Sequence, residues 1–310
     1  MKPMGALQGR DLLTLTDLTR EELRDLLQLA IDLKTGTLRV HCQKTLGLLF
    51  SKASTRTRVS FSTAMFQLGG QVIDLNPNVT QVGRGEPIAD TARVLSRYLD
   101  VLAIRTFAQA DLVTYAEYAD IPVINALTDQ FHPCQILADL LTLQENFGSL
   151  QGLTLSYFGD GNNMAHSLML GCALTGVNVR IATPAAYQPQ ADIVELATHL
   201  SQGQSQVLVT QNPQEAAQGA QALYTDVWAS MGQESESLDR IPVFQPYQVN
   251  EALLDLADST AIVLHCLPAH RDEEITAAVL EGPQSRVWDQ AENRLHGQKA
   301  LLASVLEPLS

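Results

Sequence analysis

The chain has 310 residues, of which 45% are hydrophobic, so it can bury a large core, and its length favours two domains over one. Its formal net charge of -14 argues against a nucleic-acid-binding protein, because binding to a polyanion normally needs a basic surface. Since no apolar stretch suits a membrane span or a signal peptide, and the N-terminus lacks the composition of an organelle presequence, we expect a cytoplasmic enzyme that binds neither membrane nor nucleic acid. The scattered cysteines at positions 42, 134, 172 and 266 form no CxxC pair, which predicts reduced thiols.

Short apolar runs alternate with helical periodicity along the chain, which is the pattern of doubly wound α/β domains. A capping box at Thr19 and Glu22 predicts the opening helix. Strands are predicted in two series, first at 46–50, 72–75, 101–105 and 122–126, then at 153–158, 177–182, 207–209, 222–227 and 261–267. A helix over 133–147, ended by Gly148, separates the series. The sequence therefore predicts two α/β domains, at 1–148 and 149–289, each with a central parallel sheet flanked by helices. A last helix within 290–310 is predicted to pack back on the first domain.

The run Ser-Thr-Arg-Thr-Arg at 54–58 stands where the first predicted strand gives way to a helix. Apolar residues at 61, 64, 65 and 68 mark one buried face of this helix, which ends at two glycines and has Ser54 as its predicted N-cap. A helix start offers unpaired N–H groups and a partial positive charge, to which the run adds three hydroxyl groups and two guanidinium groups. We therefore predict a phosphate-binding cradle here rather than a simple N-cap followed by solvated arginines.

A second helix start is predicted at His132-Pro133-Cys134-Gln135, because proline suits the first helical position. In isolation, the four residues are typical of a histidine that caps its own helix and a cysteine that packs as a small apolar residue. Beside a phosphate cradle, however, a neutral imidazole and an amide are suitable partners for a carbonyl oxygen and the amide attached to it.

In the second domain, Asn163 and Asp226 follow predicted strands. An aspartate there can bind an ammonium group and an asparagine amide can bind a carboxylate, which together make an amino-acid clamp. Turn formation and helix capping by the same residues are equally compatible with the spacing. Gly159-Asp160-Gly161 lacks the third glycine and the acidic partner of a dinucleotide site, so no nucleotide cofactor is predicted.

The motifs together resemble those of the aspartate and ornithine carbamoyltransferases, over about residues 12–306. The resemblance rests on Ser54-Thr55-Arg56-Thr57-Arg58, His132-Pro133-Cys134-Gln135, Asp226 with Ser230-Met231-Gly232, His265-Cys266-Leu267-Pro268 and Ala291-Glu292-Asn293-Arg294. The first two are shared across the family, whereas the Ser-Met-Gly and His-Cys-Leu-Pro segments are typical of its ornithine branch. Ala53 stands where the family usually has proline.

The resemblance implies transfer of the carbamoyl group from carbamoyl phosphate to the side-chain amine of L-ornithine, giving L-citrulline and phosphate for arginine biosynthesis. It implies no cofactor and no metal, and an active site in the cleft between the domains. It also implies homotrimers, or multiples of trimers, with active sites shared between subunits.

The family's site residues carry over by matching motif. Catalytic roles are implied for Arg56, Arg105, His132 and Cys266. Contacts with carbamoyl phosphate are implied for Ser54, Thr55, Arg56, Thr57, Gln81, Arg105, His132, Gln135 and Arg294, of which Gln81 is expected to reach a neighbouring subunit. Contacts with ornithine are implied for Asn163, Asp226, Ser230, Met231, Cys266 and Leu267.

Two alternative functions are compatible with the sequence. The acceptor of the same reaction can be another amine, such as putrescine or N-acetylornithine. Alternatively, a metallohydrolase or metal-storing protein can use the His and Cys residues as zinc ligands, although they lack regular ligand spacing and no glutamate is placed as a base. The candidate ligands are His132, Cys134, His265, Cys266 and His270.

Overall fold

A computed structural model describes residues 7–52, 54–76, 81, 85–229 and 237–306. Its internal contacts divide the chain into two compact units. Unit 1 comprises Met1–Leu141 and Asn293–Ser310, and unit 2 comprises Thr142–Glu292. The domain boundaries that we place after residues 148 and 289 stay a prediction.

The described part of unit 1 contains a parallel sheet with the strand order β2-β1-β3-β4. Its strands are β1 (Thr45–Phe50), β2 (Gln71–Leu75), β3 (Val101–Arg105) and β4 (Val123–Leu127). The helices that precede, connect and follow them are α1 (Arg20–Thr35), α2 (Thr55–Gln67), α3 (Ile88–Leu95), α4 (Gln109–Tyr118) and α5 (Pro133–Phe147).

Local sequence signals account for the first helices of unit 1. The capping box that predicts α1 is confirmed, since the Thr19 hydroxyl accepts from the Glu22 backbone N–H and the Glu22 carboxylate accepts from the Thr19 N–H. The predicted apolar face of α2 is also confirmed, since its members are buried: Phe61, Ala64, Met65 and Leu68. The helix therefore lies with this face on the core and presents its first turn at the end of β1.

The described part of unit 2 contains a second parallel sheet, with the order β7-β6-β5-β8-β9. Its strands are β5 (Thr154–Phe158), β6 (Asn178–Ala182), β7 (Val207–Thr210), β8 (Ala222–Thr225) and β9 (Ile262–His265). The helices are α6 (Asn163–Thr175), α7 (Ala191–Ser201), α8 (Pro213–Ala217), α9 (Ser237–Phe244), α10 (Glu251–Leu254) and α11 (Ala277–Leu280). The final helix, α12 (Val287–Val305), begins in unit 2 and ends in unit 1.

Two strands of unit 2 end earlier than predicted. Both β8 and β9 end two residues early, at Thr225 and His265. The apolar residues Val227 and Leu267 continue the hydrophobic pattern after the backbone has left the sheet, which explains the difference. As a result, Asp226 and Cys266 lie in the loops that directly follow these strands.

The strand orders place a topological switch point in each sheet. In unit 1, the chain leaves β1 toward β2 and returns to β3 on the other side, so the switch lies between β1 and β3. In unit 2, it lies between β5 and β8. Ligands of open α/β sheets bind beyond the carboxyl ends of the strands at such points, where the predicted site residues also lie. The α/β class with two parallel sheets flanked by helices is thus confirmed. None of the described helices has both the length and the apolar character needed to cross a bilayer.

Candidate active site

The first turn of α2 forms the base of the site in unit 1. Ser54 is the N-cap, as predicted, and has an extended backbone, but its side chain makes no capping hydrogen bond. Thr55, Arg56 and Thr57 occupy the first turn. Because the Ser54 hydroxyl does not occupy the N–H groups of that turn, they can donate to an anion at the positive end of the helix.

Arg58, the second arginine of the 54–58 run, pairs with an acidic residue of unit 1. The Arg58 guanidinium donates to the Asp74 carboxylate on β2 and lies 5.0 Å from the centroid of the Phe50 ring. This pairing weakens our expectation that both arginines serve the anion cradle, which stays a prediction for Arg58. The two arginines look equivalent in sequence, but the Arg58 guanidinium is already paired with Asp74 of the neighbouring strand.

A second guanidinium group comes instead from α12. Arg294 is 3% exposed; its Nη1 donates to the Gln135 side-chain oxygen over 2.6 Å, and its Nη2 donates to the Thr57 hydroxyl over 2.9 Å. It therefore connects the first turns of α2 and α5. Arg105, the last residue of β3, is also buried. The structure thus brings together residues that the sequence separates by more than two hundred positions.

His132 lies buried directly before α5. Burial lowers its pKa well below the usual range, and the positive charges of Arg294, Arg105 and Arg56 lower this pKa further. The imidazole is therefore neutral at neutral pH. It can donate one hydrogen bond to a carbonyl oxygen in surroundings whose positive charge favours an anion.

Gln135 contacts a residue that our sequence reasoning missed. Its side-chain nitrogen donates to Asp139 Oδ1 over 2.8 Å, and Asp139 is fully buried one turn further along α5. The i, i+4 spacing of an amide and a carboxylate within one helix is the signal that indicates such a contact.

Gln81 is exposed in the described structure, and its carbonyl oxygen accepts from the Glu86 N–H over 3.3 Å. It lines a cavity of about 230 Å³ together with Leu49, Leu75, Glu86, Thr91, Val94 and Leu95. Its contact with a neighbouring subunit stays a prediction.

In unit 2, Asp226 and Cys266 meet at the ends of the neighbouring strands β8 and β9. The Cys266 thiol donates to Asp226 Oδ1 over 2.9 Å, and the Val227 N–H donates to the same oxygen over 2.8 Å. Asp226 is buried, whereas Cys266 is partly exposed. Asp226 and Cys266, two of the predicted ornithine contacts, are therefore joined directly by a hydrogen bond.

The loop that carries Cys266 and Leu267 is held by the His265 side chain. The Leu267 N–H donates to His265 Nδ1 over 2.8 Å, so the ring proton lies on Nε2, which faces Glu274 Oε1 at 3.0 Å. Both side chains are fully buried, and Glu274 Oε1 also accepts from the His270 N–H. Our sequence reasoning missed Glu274, because no local pattern links it to a histidine nine residues earlier.

Asn163 is the first residue of α6, but the capping role that we considered for it belongs to Asn162. The Asn162 side chain accepts from the N–H groups of Met164 and Ala165. Ser230 and Met231, the remaining predicted ornithine contacts, lie outside the described residues.

The unit 2 site is acidic. Burial raises the pKa of Tyr157 well above its usual range, and the negative charges of Asp226, Asp160 and Glu274 add to this shift. These groups favour a cationic ligand. Arg240 neutralises part of the charge by donating to the Asp160 carboxylate over 2.7 Å.

Two groups among the described residues bring potential metal ligands within 4.8 Å of one another: Asp226, His265 and Cys266, and His270, Glu273 and Glu274. Both ring nitrogens of His265 already have partners, however. The Cys134 thiol donates to the Asn125 carbonyl oxygen, and burial raises its pKa to about 12. A thiolate ligand at Cys134 is therefore unfavourable, which weakens the zinc alternative.

Models of known protein families match both halves of the chain. Residues 10–145 match the model of the carbamoyl-P binding domain of aspartate/ornithine carbamoyltransferase, and residues 151–305 match that of its Asp/Orn binding domain. The ornithine carbamoyltransferase of Nostoc punctiforme is 70% identical over 303 residues, which cover 98% of this chain and 99% of the relative.

Solved structures give the same result. The ornithine carbamoyltransferase of Pyrococcus furiosus has a TM-score of 0.92 at 47% identity, with 97% of this chain and 98% of that chain covered. The anabolic enzyme of Campylobacter jejuni has a TM-score of 0.90 at 35% identity, with 94% and 97% covered. The chain therefore belongs to the aspartate/ornithine carbamoyltransferase family.

Proposed function

We propose that this protein transfers the carbamoyl group of carbamoyl phosphate to the side-chain amine of L-ornithine, giving L-citrulline and phosphate. The observation that carries the proposal is the buried, neutral His132 among the guanidinium groups of Arg56, Arg105 and Arg294. These residues lie in the part of the chain that matches a carbamoyl-P binding domain. The name of the Campylobacter relative supports a role in arginine synthesis.

The residues of unit 1 bind carbamoyl phosphate. The hydroxyl groups of Ser54, Thr55 and Thr57 and the first-turn N–H groups of α2 hold the phosphate, with Arg56 and Arg105 supplying charge. His132 and Gln135 hold the carbamoyl group, and Arg294 approaches it from α12. Gln81 contributes from a neighbouring subunit.

The residues of unit 2 bind ornithine. Asp226 attracts the α-ammonium group, since its carboxylate is buried at the end of β8 within an acidic site. Asn163, Ser230 and Met231 complete the contacts with the α-amino and α-carboxylate groups. Cys266 and the Leu267 carbonyl oxygen steer the side-chain amine.

The reaction needs no covalent enzyme intermediate, because the amine of ornithine is itself the nucleophile. The neutral amine nitrogen attacks the carbonyl carbon, and the bond from that carbon to the phosphate oxygen breaks with its electron pair leaving on the phosphate. The nitrogen then gives up its extra proton to the departing phosphate. Negative charge grows first on the carbonyl oxygen, near Thr57, Arg105 and His132, and then on the departing phosphate, near Arg56. Donors that hold more charge in the transition state than in the ground state raise the rate.

The test is colorimetric detection of citrulline from carbamoyl phosphate and ornithine. Aspartate, putrescine and N-acetylornithine serve as competing acceptors in matched reactions. We expect ornithine to give the highest kcat/KM. A higher value with another amine would assign the protein to a different acceptor within the same chemistry, and no product with any amine would contradict carbamoyl transfer.

We also propose a homotrimer or a multiple of trimers in the cytoplasm. Large apolar side chains of unit 1 are exposed, including Val59 and Phe66 on one face of α2 and Ile73 on the edge strand β2, and such surfaces mark protein interfaces. Light scattering should give three times the chain mass or a multiple of it. The free cysteines, three of them buried, suit a reducing compartment.

A further inference from the structure

Four side chains of unit 1 form a continuous chain of hydrogen bonds. Asp139 Oδ1 accepts from the Gln135 side-chain nitrogen over 2.8 Å. The Gln135 side-chain oxygen accepts from Arg294 Nη1 over 2.6 Å, and Arg294 Nη2 donates to the Thr57 hydroxyl over 2.9 Å. All four residues are buried, so these bonds are shielded from water.

The two neighbours of Gln135 in this chain, Arg294 and Asp139, define the orientation of its amide. A guanidinium group can only donate hydrogen bonds, so it must face the amide oxygen. A carboxylate can only accept them, so it must face the amide nitrogen. A flipped amide would place its NH₂ group against Arg294 and its oxygen against Asp139, and both contacts would then be repulsive.

In this orientation, the Gln135 side-chain oxygen can accept a further hydrogen bond from the ligand that the proposed function assigns to it. The amide oxygen has two lone pairs, of which Arg294 uses one. The other can accept from the NH₂ group of a carbamoyl phosphate. Acetyl phosphate has nearly the same shape but carries a methyl group there, which cannot donate.

We propose that Asp139 is a positioning residue that keeps the Gln135 side-chain oxygen available to the carbamoyl NH₂ group, and that it thereby favours carbamoyl phosphate over other acyl phosphates. The inference rests on the proposed function and deepens it. Asp139 acts through Gln135 and does not touch the substrate. It lies four residues after Gln135 on α5, so both belong to one rigid helix.

The test compares the selectivity of Asp139 variants, defined as the inhibition constant of acetyl phosphate divided by the KM of carbamoyl phosphate. Asp139→Leu and Asp139→Ala remove the acceptor, whereas Asp139→Asn keeps an oxygen that can accept from Gln135. Glu145→Leu removes an exposed carboxylate from the same helix and serves as the matched control. Circular dichroism and thermal unfolding confirm that each variant is folded.

We expect the apolar variants to lower the selectivity about tenfold, which corresponds to one hydrogen bond, through weaker binding of carbamoyl phosphate. Acetyl phosphate should bind as it does to the original protein, and Asp139→Asn and Glu145→Leu should keep the original selectivity. A purely structural role for Asp139 would weaken both phosphates alike and leave their ratio unchanged, and that result would overturn the inference.

The outcome distinguishes a failure of this inference from a failure of the proposed function. If the original protein forms citrulline but a folded apolar variant keeps its selectivity, the role of Asp139 is wrong and the proposed function stands. If the original protein forms no citrulline, both fail. Should neither apolar variant fold, a tenfold loss of selectivity in the isosteric Asp139→Asn would contradict the proposed role.

Discussion

The two units have the same architecture but sites of opposite charge. In each, a parallel sheet switches direction between two central strands, and polar side chains follow the carboxyl ends of those strands. In unit 1, the charges of Arg56, Arg105 and Arg294 act on a neutral His132, whereas in unit 2 those of Asp226, Asp160 and Glu274 act on Tyr157. The shared architecture therefore defines where a ligand binds, and a few charged residues define whether it is an anion or a cation.

The units also differ in how they hold their site residues. Thr57 and Gln135 lie on the first turns of helices and are joined by Arg294 from a third helix. Asp226, Cys266 and Leu267 lie in loops, where contacts with His265 and its partner Glu274 replace the rigidity of a helix. Site residues on helices are positioned more precisely than site residues on loops, so the loop residues of unit 2 depend more on these supporting contacts.

The largest expected effect concerns Arg56. Arg56→Ala should cost about 2 to 5 kcal/mol in kcat/KM for carbamoyl phosphate, since the leaving phosphate loses a charged partner, and kcat should fall as well as affinity. Arg58→Ala is the matched control. Because Arg58 pairs with Asp74 near the surface, its loss should cost less than about 1 kcal/mol. Equal effects of the two substitutions in steady-state kinetics would show that the cradle does not distinguish them.

The dependence of activity on pH tests whether ornithine attacks as a neutral amine while His132 stays neutral. A lysine-like amine has a pKa of about 10.4, so kcat/KM for ornithine should rise about tenfold per pH unit between pH 7 and pH 9. His132 should add no inflection in this range, because its pKa lies well below 6.5 and the ring stays neutral throughout. A flat rate profile from pH 6 to 9 would contradict attack by the neutral amine.

Substitution of Asp226 should affect one substrate alone. Asp226→Asn keeps an oxygen for the Cys266 thiol but removes the charge, so kcat/KM for ornithine should fall about ten- to a hundredfold. Calorimetric affinity for carbamoyl phosphate should stay within about a factor of two of the original. The opposite pattern would reverse the assignment of substrates to units.

A smaller effect is expected at Gly297, where α12 approaches α5 closely. A Cβ atom there would lie 3.3 Å from Leu137 Cβ, so Gly297→Ala should move α12 away and disturb Arg294 one turn earlier. We expect a loss of about 1 to 2 kcal/mol in the free energy of unfolding and a few-fold higher KM for carbamoyl phosphate. An unhindered helical glycine gains about 1 kcal/mol on the same change, so a stabilised variant would contradict the close approach.

Much of the fold and part of the site follow from sequence because local signals agree with each other. Ser54 and Pro133 predict helix starts, and the helices found there present Thr57, His132 and Gln135 as expected. Contacts between distant elements are not encoded locally. The pairing of Arg58 with Asp74 and that of His265 with Glu274 depend on how strands and loops meet, which periodicity does not show.

Unit 1 is assembled from two separated stretches of chain, Met1–Leu141 and Asn293–Ser310. During translation, the arginine contributed by α12 leaves the ribosome roughly 150 residues after the end of the first stretch, or about 8 to 30 seconds later at usual elongation rates. Unit 1 therefore lacks the contacts of Arg294 during that interval, whereas unit 2 is continuous and is synthesised entirely within it. The two stretches of unit 1 can therefore pack together only after unit 2 has been synthesised.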